Sequence, residues 1–263
     1  MSIAKILGTS IANVSSLASV NLAGATEYAH YKCNDDAANT TVTDDGTGSN
    51  NGTASTNTNN LSATGKINDA FDFNGSSEYI DIDALQQDIE SDTTGTISAW
   101  IYINTDAFNS MIFSLGDTNS DTYFMLRYLS NDNIQAILRA PDSTYWSIVT
   151  TSAPISKNTW HHIVIVQDAV EPKLYLDGED ITEFSDTSSK TSWFSSISEL
   201  DNGRLAVVVE NFFTGYYLDG KLDDFRYYQN IALSLSQVKA LYNNGNGRED
   251  AIPAVSKILG VTK

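Results

Sequence analysis

From residue 96 onward the chain is a succession of short β-branched and aromatic segments cut apart by turn residues: "TISAWIYI", "SMIFSLG", "TYFMLRYL", "NIQAILRA", "WSIVTT", "TWHHIVIVQD", "KLYLDG", "RLAVVVE" and "GYYLDGKLDDFRYY". Segments this short cannot each bury a face alone. They close a core by pairing edge to edge in antiparallel sheets that stack face to face. Within "KLYLDGEDI", the Asp177-Gly178 pair sits where a two-residue hairpin turn with positive φ belongs. A chain of 263 residues is long enough to make one large sandwich with appendages.

One helix is predicted. In "LSLSQVKALYNNG", Ser234 and Gln237 have capping-box spacing, Leu235, Val238, Leu241 and Tyr242 form an apolar stripe, and Gly245 supplies a stop. The stretch "DDAANTTVTDDGTGSNNGTASTNTNN" (35–60) has too few apolar residues for a core of its own and is expected to lie as loop over other elements. Cys33 is the single cysteine, so no intrachain disulfide forms, and a small buried residue is expected there.

Charge narrows the partners. With 33 acidic and 15 basic residues the formal net charge is -18, which repels nucleic-acid phosphate and anionic membrane alike. No apolar run approaches the ~20 residues of a membrane helix, so neither a nucleic-acid partner nor membrane insertion is expected. Acidity among many Ser, Thr and Asn suits a surface that meets calcium or uncharged glycans. Near the start, Lys5 and Ala23-Gly24-Ala25 fit an export signal loosely, but Asn13, Ser15, Ser16 and Ser19 interrupt the stretch between them.

Six blocks in order carry a family resemblance: "VTDDGTGSNNGT" (42–53), "GKINDAFDFNGSSEYIDI" (65–82), "TISAWIYI" (96–103), "NTWHHIVIVQD" (158–168), "LYLDGEDI" (174–181) and "GKLDDFRYYQNIALSLSQVKALYNNG" (220–245). Together they resemble the laminin-G-like, concanavalin-A-like jelly-roll domains. The resemblance implies an all-β fold of two curved antiparallel sheets stacked as a jelly-roll sandwich, commonly with a calcium ion and often with a sugar or protein ligand. The expected layout is an N-terminal arm (1–27), the jelly-roll body (28–247) with one short C-terminal helix, and a C-terminal arm (248–263).

Enzymes also occur on this sandwich. The laminarinase-like glycoside hydrolases bear a Glu-x-Asp-x-x-Glu strand, and a retaining mechanism needs two carboxyls ~5 Å apart. In "ELDNGR", Glu199 and Asp201 keep that spacing, but Arg204 stands in place of the second glutamate. His161 and His162 are neighbours on a strand, so their side chains leave opposite faces and cannot chelate one ion together. Hydrolase, metalloprotease and phosphate-loop motifs are absent, and a non-enzymatic protein is expected.

Calcium takes six to eight oxygen ligands. Asp44, Asp45, Asn50 and Asn51 lie among glycines in one loop, and strand alternation puts Asp223 on the face of Phe225 and Tyr227. The resemblance implies that a structural calcium closes these two regions, with Asp44 matching the family's loop aspartate and Asp223 the first of its strand pair. Gly46 and Thr47 depart from the family's usual Ser-Ser or Ser-Gly. The alternative is that Asp223 accepts hydrogen bonds from loop amides without a metal.

A sugar ligand would stack on aromatic faces. The pairs Tyr145-Trp146, Trp193-Phe194, Phe212-Phe213 and Tyr216-Tyr217 each send one ring inward and one outward. Trp146, Trp193, Phe212 and Tyr216 are the candidate ligand contacts.

The two ends share a phrase. Octads IAKILGTS, IANVSSLA and SVNLAGAT open the chain, and VSKILGVT (255–262) fits the same frame. A repeat this weakly apolar has no core of its own, so Ile3, Ile6, Leu7, Ile11, Val14, Ile258 and Leu259 are read as docking contacts. These phrases resemble those at the termini of bacteriophage virion proteins that display laminin-G-like domains. The leading expectation is therefore a virion-surface structural and recognition protein. Its arms would bind other virion proteins or copies of itself in an oligomer. The second is an extracellular carbohydrate-binding module or adhesin of a secreted bacterial system.

Overall fold

A computed structural model of the chain describes residues 25–105, 109–151 and 155–252. The first elements are β1 (Ala29–Tyr31), β2 (Thr41–Val42), β3 (Gly52–Ala54), the one-turn helix α1 (Thr58–Leu61), β4 (Ser62–Thr64), β5 (Asp69–Asn74), β6 (Ile80–Asp81) and helix α2 (Asp83–Ile89). Next come β7 (Gly95–Ile103), β8 (Met111–Gly116), β9 (Tyr123–Tyr128), β10 (Ile134–Ala140), β11 (Ser143–Val149), β12 (Trp160–Gln167) and β13 (Pro172–Leu176). The last are β14 (Glu179–Asp180), β15 (Phe184–Thr187), β16 (Asn202–Leu205), β17 (Val208–Glu210), β18 (Phe213–Gly215), β19 (Asp219–Gln229) and helix α3 (Leu235–Tyr242).

These strands build the all-β jelly-roll sandwich expected from the sequence. One sheet runs β14-β13-β12-β7-β19-β5-β4, with β1 also on β19, and the other runs β15-β11-β10-β9-β8-β16-β6-β3-β2. Between them, Ile97, Ile101 and Phe225 of the first sheet meet Phe113, Phe124 and Leu126 of the second. Alternation along each strand sends every second side chain into this layer. β17 and β18 form a separate hairpin.

The turn and cap chemistry is as the local sequence dictates. Asp177 (φ 51) and Gly178 (φ 82) link β13 to β14, with Leu176 opposite Glu179. Ser234 and Gln237 form the reciprocal capping box of α3, which ends at Asn243 in the left-handed region, two residues before the expected stop at Gly245. Val238 and Leu241 then press onto Val164, Val166, Tyr175 and Tyr228 on the outer side of the first sheet. Leu235 departs from the predicted stripe and is exposed. Helix α2, which buries Leu85, Gln86 and Ile89, was not predicted.

A bulge in β19 corrects one expectation. Asp223 pairs with Trp100 and Arg226 with Ser98, so β19 holds one more residue than β7 over this stretch, and Asp224 takes φ 51. The extra residue reverses the alternation. Leu222, Phe225 and Tyr227 enter the sandwich core. Asp223 instead lies on the opposite face with Trp100, whose ring stacks on Tyr242 of α3 at 5.8 Å.

The assembly contacts Ile3, Ile6, Leu7, Ile11, Val14, Ile258 and Leu259 fall outside the described residues. At the described margins, Ala25 and Ile252 join the apolar cluster beneath α3.

Candidate functional site

The outer face of the nine-stranded sheet carries the most organised set of polar and aromatic side chains. Phe124, Leu126, Ala136 and Leu138 point into the core, so Tyr123, Met125 and Arg127 of β9 and Gln135, Ile137 and Arg139 of β10 face outward. The register sets Arg127 opposite Gln135 and Tyr123 opposite Arg139. The β17–β18 hairpin leans over this face, where Val208 packs on Met111, Met125 and Ile137, with Tyr123 and Tyr216 against the same cluster. Phe213 and Tyr216 continue the hairpin's aromatic wall, their rings 5.0 Å apart.

A hydrogen-bond relay crosses four strands here. Arg127 Nε donates to Gln135 Oε1 (2.8 Å), Gln135 Nε2 donates to Ser147 Oγ (3.0 Å), and Ser185 Oγ donates to Ser147 Oγ (2.9 Å). The Arg127 guanidinium lies over the Tyr216 ring, 5.8 Å from its centroid. Arg139 is held differently, by Asp121 through Nε and Nη2, each at 2.8 Å. Burial pushes the Glu210 carboxyl up, with Asp121 adding to the shift while Arg127 and Arg139 oppose it. Burial likewise pulls Arg127 down.

The predicted ligand contacts divide. Trp146 and Trp193 are corrected: both are fully buried, stacked 6.0 Å apart at 9°, and Trp146 Nε1 donates to Ser192 O. On β11 alternation lets Trp146 be the ring that turns inward, whereas Trp193 and Phe194 sit at a 3-10 turn and both are buried. Phe212 is 84% exposed at the hairpin tip. Tyr216 lies in the wall described above. Sequence reasoning missed Arg127, Gln135 and Arg139, although the alternation of "TYFMLRYL" puts Arg127 on the same side as Tyr123 and Met125.

The residues expected to hold calcium are tied into hydrogen bonds and an ion pair within the protein. Asp44 Oδ1 accepts the amides of His30 (2.7 Å) and Gly46 (2.8 Å), and Oδ2 accepts that of Asn50 (2.7 Å). Asn51 Oδ1 accepts the Asp44 amide, Asn50 Nδ2 donates to Asp88, and Asp45 pairs with Lys32. A Cβ at Gly46 would lie 2.3 Å from Tyr28 O, which explains the glycine at that position. Asp223 serves another loop, its Oδ2 accepting the amides of Lys66 (2.7 Å) and Ile67 (2.8 Å). Among the described residues no group of three or more His, Cys, Asp or Glu is placed to hold a metal.

Other polar clusters are accounted for locally. Asp201 accepts from Thr118 and Asn202. His161 Nδ1 contacts Asp177 (2.8 Å), Nε2 contacts Ser156 Oγ (3.0 Å), and Asp177 Oδ1 accepts the His162 amide (2.9 Å). This series ties the Asp177-Gly178 turn to β12, with Ser156 exposed. A shallow depression lined by Asp72, Glu78 and Asp219 lies along β4, β5 and β19, and its Asp219 is engaged by Asn104 and Thr105.

A family model described as the concanavalin A-like lectin/glucanases superfamily matches residues 74–239. The chain belongs to this superfamily. Among solved structures, the CBM40 of the Ruminococcus gnavus IT-sialidase bound to α2,3-sialyllactose is similar, with TM-score 0.58 and 18% identity, over 66% of this chain and 96% of that one. Domain 4 of AbnA, an extracellular arabinanase from Geobacillus stearothermophilus in complex with arabinotriose, gives TM-score 0.58 and 18% identity over 82% of this chain and 98% of that one. The NanB sialidase from Streptococcus pneumoniae gives TM-score 0.51 and 21% identity over 61% of this chain and 26% of that one. At these identities the likeness establishes a lectin-like fold shared with carbohydrate-binding modules. No curated protein sequence matches the chain.

Proposed function

We propose that this superfamily member is a non-catalytic carbohydrate-binding module or adhesin that takes its glycan on the outer face of the nine-stranded sheet, beside the β17–β18 hairpin. The observation that carries this reading is the four-strand relay from Arg127 through Gln135 and Ser147 to Ser185, ordered beneath the Tyr216 wall. Pyranose recognition uses that combination, an aromatic face for the ring and fixed polar groups for its hydroxyls. The sialyllactose and arabinotriose held by the similar modules support a glycan as the ligand class. An extracellular place of action follows from the same reading.

Display on a virion through terminal arms rests on the shared end phrases alone, whose residues lie outside the described structure. A glycan array probed with the full chain tests the binding reading. Retention of at least one oligosaccharide class, weakened by Tyr216→Ala, is the expected result. No retention of any glycan overturns it.

A further inference from the structure

Arg127 is a charged group with no ion-pair partner among the described residues, although the Glu210 carboxyl acts on it at longer range. Arg139, Arg204 and Arg226 each hold a carboxylate, on Asp121, Asp83 and Asp224 respectively. Among the described residues no carboxylate forms an ion pair with Arg127, in a chain whose net charge is -18. Its Nε is spent on Gln135 and its plane is supported by Tyr216, while the terminal Nη1 and Nη2 have no hydrogen-bond partner among the described residues. A half-buried guanidinium held this way is desolvated without a paired carboxylate, and its free edge has the spacing of a carboxylate's two oxygens.

We infer that Arg127 is the receptor for a carboxylate on the bound glycan, so that the face selects acidic sugar residues such as sialic or uronic acids over neutral ones. This rests on the carbohydrate-binding reading above. It also departs from the expectation of uncharged glycans drawn from overall acidity. Gln135 holds the fork in place from the next strand. Asp121 pairs with Arg139, while Glu210 acts on both Arg127 and Arg139. Their charge disfavours a second carboxylate, so one acidic residue is expected per site, oriented toward Arg127.

The test is calorimetric titration of the intact chain with four probes: a sialyl oligosaccharide, a uronic-acid oligosaccharide, a sulfated oligosaccharide and a neutral oligosaccharide of similar length. Preference for a carboxylate probe of at least tenfold over the neutral one supports the inference. So does a loss of that preference in both Arg127→Gln and Arg127→Lys, since lysine keeps charge but not the fork. Melting temperature checks that the variants fold, and the wild-type ranking stands without them. Equal binding of neutral and acidic probes overturns the inference and leaves the carbohydrate reading intact, as does preference for sulfate with Arg127→Lys unaffected. Binding of no probe overturns both.

Discussion

The guanidinium of Arg226 meets the carboxylate of Asp224 two residues earlier in the same strand, with Nη2 3.0 Å from Oδ1, and both side chains are buried. The contact sits at the bulge between Asp223 and Arg226, where Asp224 takes φ 51. Glu27 (2.5 Å) and the carbonyl of Arg248 complete the guanidinium's partners, and His30 Nε2 lies 2.7 Å from Asp224. The cluster joins the segments around residues 27 and 248 to the centre of the first sheet.

Breaking this cluster from one side strands a buried charge. Arg226→Met is expected to lower unfolding free energy by about 3–5 kcal/mol, the usual loss when one member of a buried pair is removed. Urea denaturation measures it. A loss under about 1 kcal/mol, the worth of an exposed pair, would contradict the burial described.

Asp223 and His162 give opposite pH slopes. Burial pushes the Asp223 carboxyl from its ordinary 3.8 up to about 8, so between those values the folded chain holds a proton that the unfolded chain releases, and stability falls as pH rises. Burial pulls His162 from 6.5 down to about 4, so between those values stability falls as pH drops. The two oppose each other from about pH 4 to 6.5, and Asp223 acts alone from 6.5 to 8. Asp223→Asn keeps an oxygen for the Lys66 and Ile67 amides. Its stability relative to wild type is expected to climb between pH 6.5 and 8 by on the order of 1 kcal/mol per unit. Denaturant melts at four pH values would show this, and a constant difference would contradict it.

Trp193 and Phe212 separate core from surface. Trp193 stacks on Phe194 at 4.3 Å and on Trp146 at 6.0 Å within the sandwich. Trp193→Ala is expected to cost about 3–5 kcal/mol of stability. Phe212→Ala, at an exposed tip, should stay within about 0.5 kcal/mol of wild type. Thermal melts of the two variants check the ranking, and the reverse order would contradict it.

What the sequence made legible was local. Asp177-Gly178 and Ser234–Gln237 have their conformations written in a few adjacent residues, and both appear as read. The strand pattern likewise announced two stacked sheets. Asp223 was placed on the wrong face because alternation assumes an uninterrupted pleat, and the one-residue bulge at Asp224 is set by pairing with β7, far away in the chain. For Trp146, a pair of adjacent strand rings does not say which one turns in; Trp193 and Phe194 lie at a 3-10 turn rather than on a strand, and both rings are buried. The relay from Arg127 to Ser185 joins residues on four strands, and only the pairing register brings them together.

The loop around Asp44 is expected to be ordered by hydrogen bonds rather than by an ion. Its carboxylate accepts three backbone amides, from His30, Gly46 and Asn50. Melting temperature should therefore be unchanged by added calcium or by a chelator, while Asp44→Ala should lose about 1–3 kcal/mol for each amide left without an acceptor. A calcium-dependent rise in melting temperature would contradict this account.

Hydrogen–deuterium exchange of the intact chain, with and without the tightest-binding oligosaccharide, tests most directly where the ligand sits. Slowed exchange in β9, β10 and the β17–β18 hairpin, with the α3 side of the molecule unaltered, is the predicted result. Protection confined to the depression beside Asp72 and Asp219, or to α3, would contradict the proposed surface.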